Sequence, residues 1–298
     1  MGFYYYLYAG LRISSELSIP EWSMFEQFQP FENVEVNISL QNLLEQNWHL
    51  EKKLPFISTN DYRFHVHSIA YYQVQNGRTI LVMPEYNANP QAVRFFLLSS
   101  AIGALFYQRG LLAIRASVLQ VGKGIVAFCG MSNTSESIFI AYLVRHGYTM
   151  VSNDLCRFDI IENNQVSVWP TSPNFKHTIQ DNRWQNNQQS LKLSSIYLIE
   201  WGEWNLTLLR GHKTLTRFID SATYQPKLLE PMGILAAYLQ FWAKIVSAVP
   251  IWNLELSKNP MTMNKNINLI EQHWFENKIL ESAKTHPIIK ENHDSAKR

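Results

Sequence analysis

The chain has 298 residues, enough for one large domain or two modest ones and for a substantial buried core. Hydrophobic residues make up 46% and charged residues 17%, a globular balance, and the formal net charge of +2 argues against a nucleic-acid or anionic-membrane partner. Two cysteines, Cys129 and Cys156, are too few for a disulfide framework or a four-ligand zinc site, and they read as buried thiols in a reducing cytoplasm.

Residues 1–88 read as a β-rich N-terminal region. The opening Met1-Gly2-Phe3-Tyr4-Tyr5-Tyr6 lacks a basic n-region, so no signal peptide is expected, and residue 6 is not the Ser or Thr that myristoylation requires. Tyr4–Ile13 is aromatic and apolar and predicts a strand ending at Ser14-Ser15-Glu16. Tyr62–Val74 alternates in part, and Asn76-Gly77 predicts a hairpin turn into Thr79–Met83. His65 and His67 share one strand face, but with no third ligand nearby they read as ordinary strand histidines.

Residues 89–282 predict a mixed α/β domain. After Pro84 and Pro90, apolar residues recur at helical spacing through Val93, Phe96, Leu97, Ser100 and Ala104, and Gly110 closes the helix. Strands follow at Leu111–Leu119 and Gly124–Cys129, with a turn at Gly122-Lys123-Gly124 in which Lys123 reads as solvated. A polar loop, Gly130–Ser135, leads into a helix over Ser137–Arg145, capped by His146-Gly147. Tyr148–Val151 predicts a strand that stops at Ser152-Asn153-Asp154. Arg157–Ile161 and Val166–Trp169 predict a hairpin turning at Asn163-Asn164, and Leu193–Glu200 a strong strand. The remainder reads as mostly helical: Thr214–Ala222, a long Lys227–Val249 helix interrupted near Pro231-Met232-Gly233, and Asn268–Lys278. Residues 283–298 read as a polar, disordered tail. No apolar stretch suits a membrane span, because Phe95–Tyr107 is shorter than the ~20 residues required and Gly233–Trp252 contains Gln240, Lys244 and Pro250. Nine tryptophans and 14 tyrosines are scattered through apolar patterns without interleaved Arg or Lys, which fits core packing rather than base stacking.

The strand–Gly130-Met131-Ser132-Asn133-Thr134-Ser135-Glu136-Ser137–helix arrangement has the outline of a phosphate loop, G-x-x-x-x-G-K-[ST]. Such loops wrap phosphates in backbone N–H groups, neutralise them with the lysine and hold Mg²⁺ on the last hydroxyl. Here the first Gly is Gly130 and the last hydroxyl is Ser137, but Ser135 replaces the second Gly and Glu136 replaces the lysine. Taken alone, this is a polar strand-to-helix turn.

The flanking segments extend the comparison. Leu111–Val118 with Ile125–Ser132, then His146–Asp154, resemble the C-terminal domain of HPr kinase/phosphorylase and its looser relatives, which read approximately L-x-x-H-A-S-A-V, A-x-x-G-x-S-G-x-G-K-S-T and r-G-y-x-l-l-S-D-D. Pro170–Lys176, Ile196–Glu200, Thr223-Tyr224-Gln225-Pro226 and Val249–Trp252 resemble further pieces in the same order, and Tyr8–Glu16 with Ile19-Pro20-Glu21 resembles the start. The resemblance implies an HPr-kinase-like P-loop domain of mixed sheet and helices, related to phosphoenolpyruvate carboxykinase. It also implies ATP and Mg²⁺ as cofactors, and a serine on a protein or peptide, or a small hydroxyl compound, as substrate. Relatives of this kind often accompany peptide-modification genes, and HPr kinases assemble into oligomers.

The departures fall on the chemistry. Glu136 stands for the lysine, Ser135 for a glycine, Arg115 for the histidine of H-A-S, Asn153 for the aspartate that acts as base, and Gln225 for the arginine of T-Y-R-P; Asp154 remains. Each unit charge pair is worth ~4 kcal/mol at 4 Å and an effective dielectric near 20, so exchanging lysine for glutamate costs several orders of magnitude in triphosphate affinity. A positive φ at Ser135 adds about 1–2 kcal/mol. Loss of the base removes roughly 10²–10⁴-fold in rate. The sequence therefore predicts a cytoplasmic pseudokinase that binds a peptide or protein, needs no cofactor and, as the resemblance implies, can form homo-oligomers; the alternative is a divergent ATP- and Mg²⁺-dependent kinase or another transferase using the same pocket. Three placements follow as expectations. The strand ends at Cys129 and Ser152 lie side by side, Gly130 and Asp154 share a pocket, and Arg115 pairs with Glu136 to close the phosphate cradle.

Overall fold

The computed structural model describes residues 2–42, 54–130, 135–171, 190–257, 259 and 262–280, without the side chains of residues 135, 136 and 212. The loop positions 131–134, most of the Pro170–Lys176 motif and the polar tail lie outside the described residues.

Two mixed sheets and a set of helices form an α/β arrangement. The first sheet holds β1 (Tyr4–Tyr8), β2 (Leu11–Ser15), β3 (Glu26–Gln27), β4 (Val36–Leu40), β5 (Phe56–Ile57), β6 (Asp61–Val66), β7 (Ala70–Gln75) and β8 (Thr79–Pro84), in the order β3-β1-β2-β4-β8-β7-β6-β5. Tyr4–Ile13 is not one strand. Ala9 at φ 48° and Gly10 at φ 73° fold it into the β1–β2 hairpin. The Asn76-Gly77 turn forms as the sequence predicts, both residues being left-handed.

The predicted helix follows as α1 (Pro90–Phe96), a π-turn over Leu97–Ala101, and α2 (Ile102–Gln108). Pro90, read from the sequence as a break before the helix, instead occupies its first turn, and the Asn89 side chain caps it by accepting from Gln91 N–H at 2.9 Å. The π-turn is invisible to a helical period count.

The second sheet contains β9 (Leu112–Val121), β10 (Gly124–Gly130), β11 (Thr149–Ile161), β12 (Gln165–Val168), β13 (Leu191–Trp201), β14 (Asn205–Leu208) and β15 (Ile251–Leu256). Pairings β10–β9–β11–β12–β13 return to β10, closing a five-strand circuit, and β15 and β14 extend from β13. α3 (Ser135–Arg145) follows β10. α4 (His212–Ala222), α5 (Leu235–Ala248) and α6 (Met263–Glu276) complete the set. The chain beyond residue 201 is therefore less helical than its sequence suggests: β14 and β15 lie there, and the long helix starts only at Leu235, after the left-handed Gly233.

β10 is apolar throughout because both of its faces are covered. Ile125, Ala127 and Cys129 enter a core shared with the first sheet, while Val126 and Phe128 enter a second core under α3 and α6. β11 does not stop at Ser152. It pairs with β9 as far as Phe158 opposite Leu112, and its register shifts between Met150 and Ser152, leaving Val151 as an extra residue. The strand ends expected side by side are therefore separated by β9, which pairs with both β10 and β11.

The two sheets meet at the β1–β2 turn. Arg157 Nη1 donates to the Ala9 carbonyl at 2.7 Å, Trp169 Nε1 donates to Asp159 at 2.7 Å, and the Arg157 guanidinium lies 5.0 Å from the Trp169 ring centroid. A Cβ on Gly10 would lie 2.6 Å from the same tryptophan ring.

Candidate functional site

The site is assembled on β9 and β11. Arg115-Ala116-Ser117 lies directly opposite Leu155, Asp154 and Asn153, so the two sequence segments that carried the resemblance are cross-strand neighbours. Phe128 of β10 is also opposite Ser117, which puts Gly130 and Asp154 toward the same end of the sheet. The Thr223-Tyr224 segment joins through a bridge from Thr223 to Ile114. Tyr224 packs where Gly103 has no side chain, and its carbonyl accepts the Tyr107 hydroxyl.

The extra residue in β11 alters which side chains reach solvent. A regular strand alternates. Here Val151 and Ser152 are both buried, and Asn153 and Asp154 are both exposed. Asp154 adopts φ 61°, the left-handed region, which short polar residues tolerate better than most. Ser152 shares a hydrogen bond with Thr171, whose N–H donates to the Val151 carbonyl at 3.0 Å. Ser117 Oγ donates to Asn153 Oδ1 at 2.9 Å. One lone pair of this amide oxygen is therefore engaged, and an amide has no basic site to take a proton at neutral pH.

Asn153, Asp154 and Leu155 form one wall of a cavity of about 330 Å³. The opposite wall comes from the first sheet and the helix after it: Tyr8, Trp22, Phe95 and the π-turn residues Leu98 and Ser99. Tyr8 stacks on Trp22, with ring centroids 4.1 Å apart. Burial pushes the phenols of Tyr8 and Tyr224 well up, so both stay protonated at neutral pH. Asp154 keeps an exposed surface at the cavity mouth, but crowding there raises its carboxyl pKa, while the nearby Arg115 pulls against the rise. Glu21 also faces the cavity, and Arg94 Nε grips its two oxygens at 2.8 and 3.0 Å.

Of the predicted loop, Gly130 ends β10 and Ser137 is exposed in the first turn of α3. Ser132 lies outside the described residues, and the side chains of Ser135 and Glu136 do too, so the expected Arg115–Glu136 contact also lies outside them. The chemistry of the residue types does not suit a magnesium triphosphate. The first turn of α3 carries Glu136 where the phosphate-loop pattern has its lysine, and Asn153 stands where the resemblance puts the base, with Asp154 the remaining carboxylate. Sequence reasoning missed the aromatic half of the cavity. Phe95 gave the one available signal, because it lies off the apolar face of its helix and is 63% exposed.

His65 and His67 do share a face, with ring centroids 6.2 Å apart. A carboxylate the sequence did not bring near is present: His65 Nε2 lies 2.5 Å from Glu85 Oε1. Among the described residues no group of three or more His, Cys, Asp or Glu could hold a metal ion. Among them, too, no helix is long and apolar enough to cross a membrane.

No family model matches the chain, and no curated protein matches it. Among solved structures it is similar to the HPr(Ser) kinase/phosphatase from Coxiella burnetii, at 11% sequence identity and a TM-score of 0.30, over 55% of this chain and 97% of that one.

Proposed function

We propose that the chain is an HPr-kinase-like pseudokinase: a kinase-like fold retained as a cytoplasmic binding module for a peptide or protein, in a peptide-modification setting. The observation that carries this reading is the Ser117–Asn153 hydrogen bond at 2.9 Å. It ties up an amide where a phosphotransfer site of this kind would place its base. Glu136 in the first turn of α3 supports the same reading, since it repels a triphosphate. The open cavity beside Asp154 gives the module a place to bind.

The test is thermal unfolding with millimolar ATP and Mg²⁺, alongside a phosphoryl-transfer assay on serine peptides. A ligand at 100 times its dissociation constant adds about 2.7 kcal/mol, so a bound nucleotide is easily seen. No shift and no transfer are expected. A shift that disappears in Ser137→Ala or Asp154→Asn overturns the reading.

The raised pKa of Asp154 favours a second reading, a divergent kinase or other transferase, because a carboxyl poised above its ordinary range can exchange a proton at a cavity mouth. ATP-dependent modification of a serine peptide, lost in Asp154→Asn, would select it.

A further inference from the structure

The cavity between the two sheets has features that the binding-module reading leaves unused. Its lining carries two carboxylates, Glu21 and Asp154, and among the described residues no lysine, arginine or histidine. Glu21 is satisfied by Arg94. The Asp154 side chain forms no hydrogen bond and no ion pair among the described residues, and Arg115, whose charge acts on it, is not part of the lining. Around this carboxylate the cavity offers the apolar surfaces of Tyr8, Trp22, Phe95, Leu98 and Leu155, with the polar Gln91, Ser99, Asn153 and Thr171 among them.

Two backbone irregularities converge here. Leu98 and Ser99 belong to a π-turn inside an otherwise regular helix, and Asp154 is left-handed inside a strand. Each departs from the cheaper regular conformation, and such departures concentrate at binding sites.

We infer that this cavity binds a basic side chain of a peptide, with the ammonium or guanidinium on Asp154 and its alkyl stem against Trp22, Phe95 and Leu98. The raised carboxyl pKa agrees with this placement, since a bound cation would relieve the cost of ionising Asp154. A long basic side chain suits such a site because its stem is apolar while its head is charged. Aromatic faces add attraction for the cation. This inference rests on the binding-module reading but is tested by a different ligand.

The probes are three tetrapeptides, acetyl-Gly-X-Phe-Gly-amide, with X as lysine, norleucine or glutamate, titrated by ligand-observed saturation-transfer NMR. The lysine peptide should bind at least about tenfold more tightly than the norleucine peptide, and the glutamate peptide most weakly. In Asp154→Asn the lysine and norleucine peptides should bind alike, with the thermal transition of the folded chain intact. Phe95→Ala, at an exposed position, should weaken the lysine and norleucine peptides together. Equal binding of lysine and norleucine by the wild-type chain, a lysine preference that survives Asp154→Asn, or no binding of any probe overturns the inference. Nucleotide binding would instead overturn the pseudokinase reading, so the two failures are distinguishable.

Discussion

Gly10 offers a quantitative test of how the two sheets are held together at the β1–β2 turn. Its φ of 73° is left-handed, and a Cβ there would meet Trp169 Cη2, Cζ2 and Cζ3 at 2.6, 2.7 and 2.8 Å. Trp169 cannot easily yield, because its Nε1 is bound to Asp159 and its face to Arg157. Gly10→Ala should therefore incur two separate costs. Forcing an L side chain into the left-handed region costs about 1–2 kcal/mol. Overpacking against a fixed ring costs about a further 1–3 kcal/mol. At about 2–4 °C per kcal/mol, the midpoint should fall on the order of 5–15 °C. Gly110→Ala is the internal control: its φ is 68°, but nothing lies within 4 Å of the added Cβ. It should show the conformational cost alone. Thermal unfolding by circular dichroism of both variants, and of Gly10→Ala in a Trp169→Ala background, separates the contributions as a double-mutant cycle. In that background Gly10→Ala should cost no more than Gly110→Ala does. If Gly10→Ala and Gly110→Ala are equally destabilising in the wild-type chain, the turn does not press on Trp169 and the reasoning fails.

Three further outcomes are expected. Asp154 has a folded-state pKa raised above its ordinary 3.8, so its ionisation costs stability that is absent below the unfolded value and develops as pH rises through the folded one. Asp154→Asn should accordingly match or exceed wild-type stability at neutral pH, with the advantage vanishing below pH 3.8 in denaturant titrations; a variant less stable at pH 7 contradicts this. His273 behaves in the opposite sense. Burial lowers its pKa from 6.5, its Nε2 has no partner among the described residues, and Asn277 Nδ2 lies 3.1 Å from its Nδ1. Its contribution is complete above pH 6.5 and lost as pH falls through the folded value, so His273→Gln should flatten that part of the stability–pH curve, and an unchanged curve would refute the assignment. Finally, Glu136→Lys alone should yield no phosphoryl transfer from ATP, because Ser135 and Asn153 remain; recovered activity would mean that a single charge separates this chain from an active kinase.

How much was legible depended on the range of the interactions that decide each element. Local chemistry was read well. Asn76-Gly77 and Asn163-Asn164 turn where their types demand, each with left-handed φ, and Gly147 ends α3 at φ 90°. The helix over Ser137–Arg145 was recognised, and it begins two residues earlier. Errors arose where two elements shared one apolar run. Tyr4–Ile13 hides a hairpin because Ala9 interrupts the aromatic pattern no more than a strand residue would, leaving Gly10 as the signal. β15 was submerged among helices, although Ile251–Leu256 follows a proline and is buried by its position between β13 and β14. Of the cavity's aromatic wall only Phe95, off the apolar face of its helix, left a trace in the sequence. Tyr8, Trp22 and Phe95 belong to segments far from β11 in sequence, and only the packing of the first sheet against the second brings them to it.

The polar triplet Ser152-Asn153-Asp154 unites these lessons. Three polar residues after an apolar strand suggest that the strand stops, yet β11 continues to Ile161. The strand survives because Val151 is inserted as a bulge, which resets the alternation without ending the ladder. Ser152 turns inward to Thr171, while Asn153 and Asp154 emerge in succession at the cavity mouth, which regular pleating cannot achieve. Two neighbouring side chains on one side are what a site needs if it is to use them together. Here one is an amide held by Ser117 and the other a carboxylate at an aromatic cavity. The cavity's other carboxylate, Glu21, is held by Arg94 and belongs to the opposite wall. The bulge at Val151 and the left-handed Asp154 thus bring an amide and a carboxylate together at the cavity.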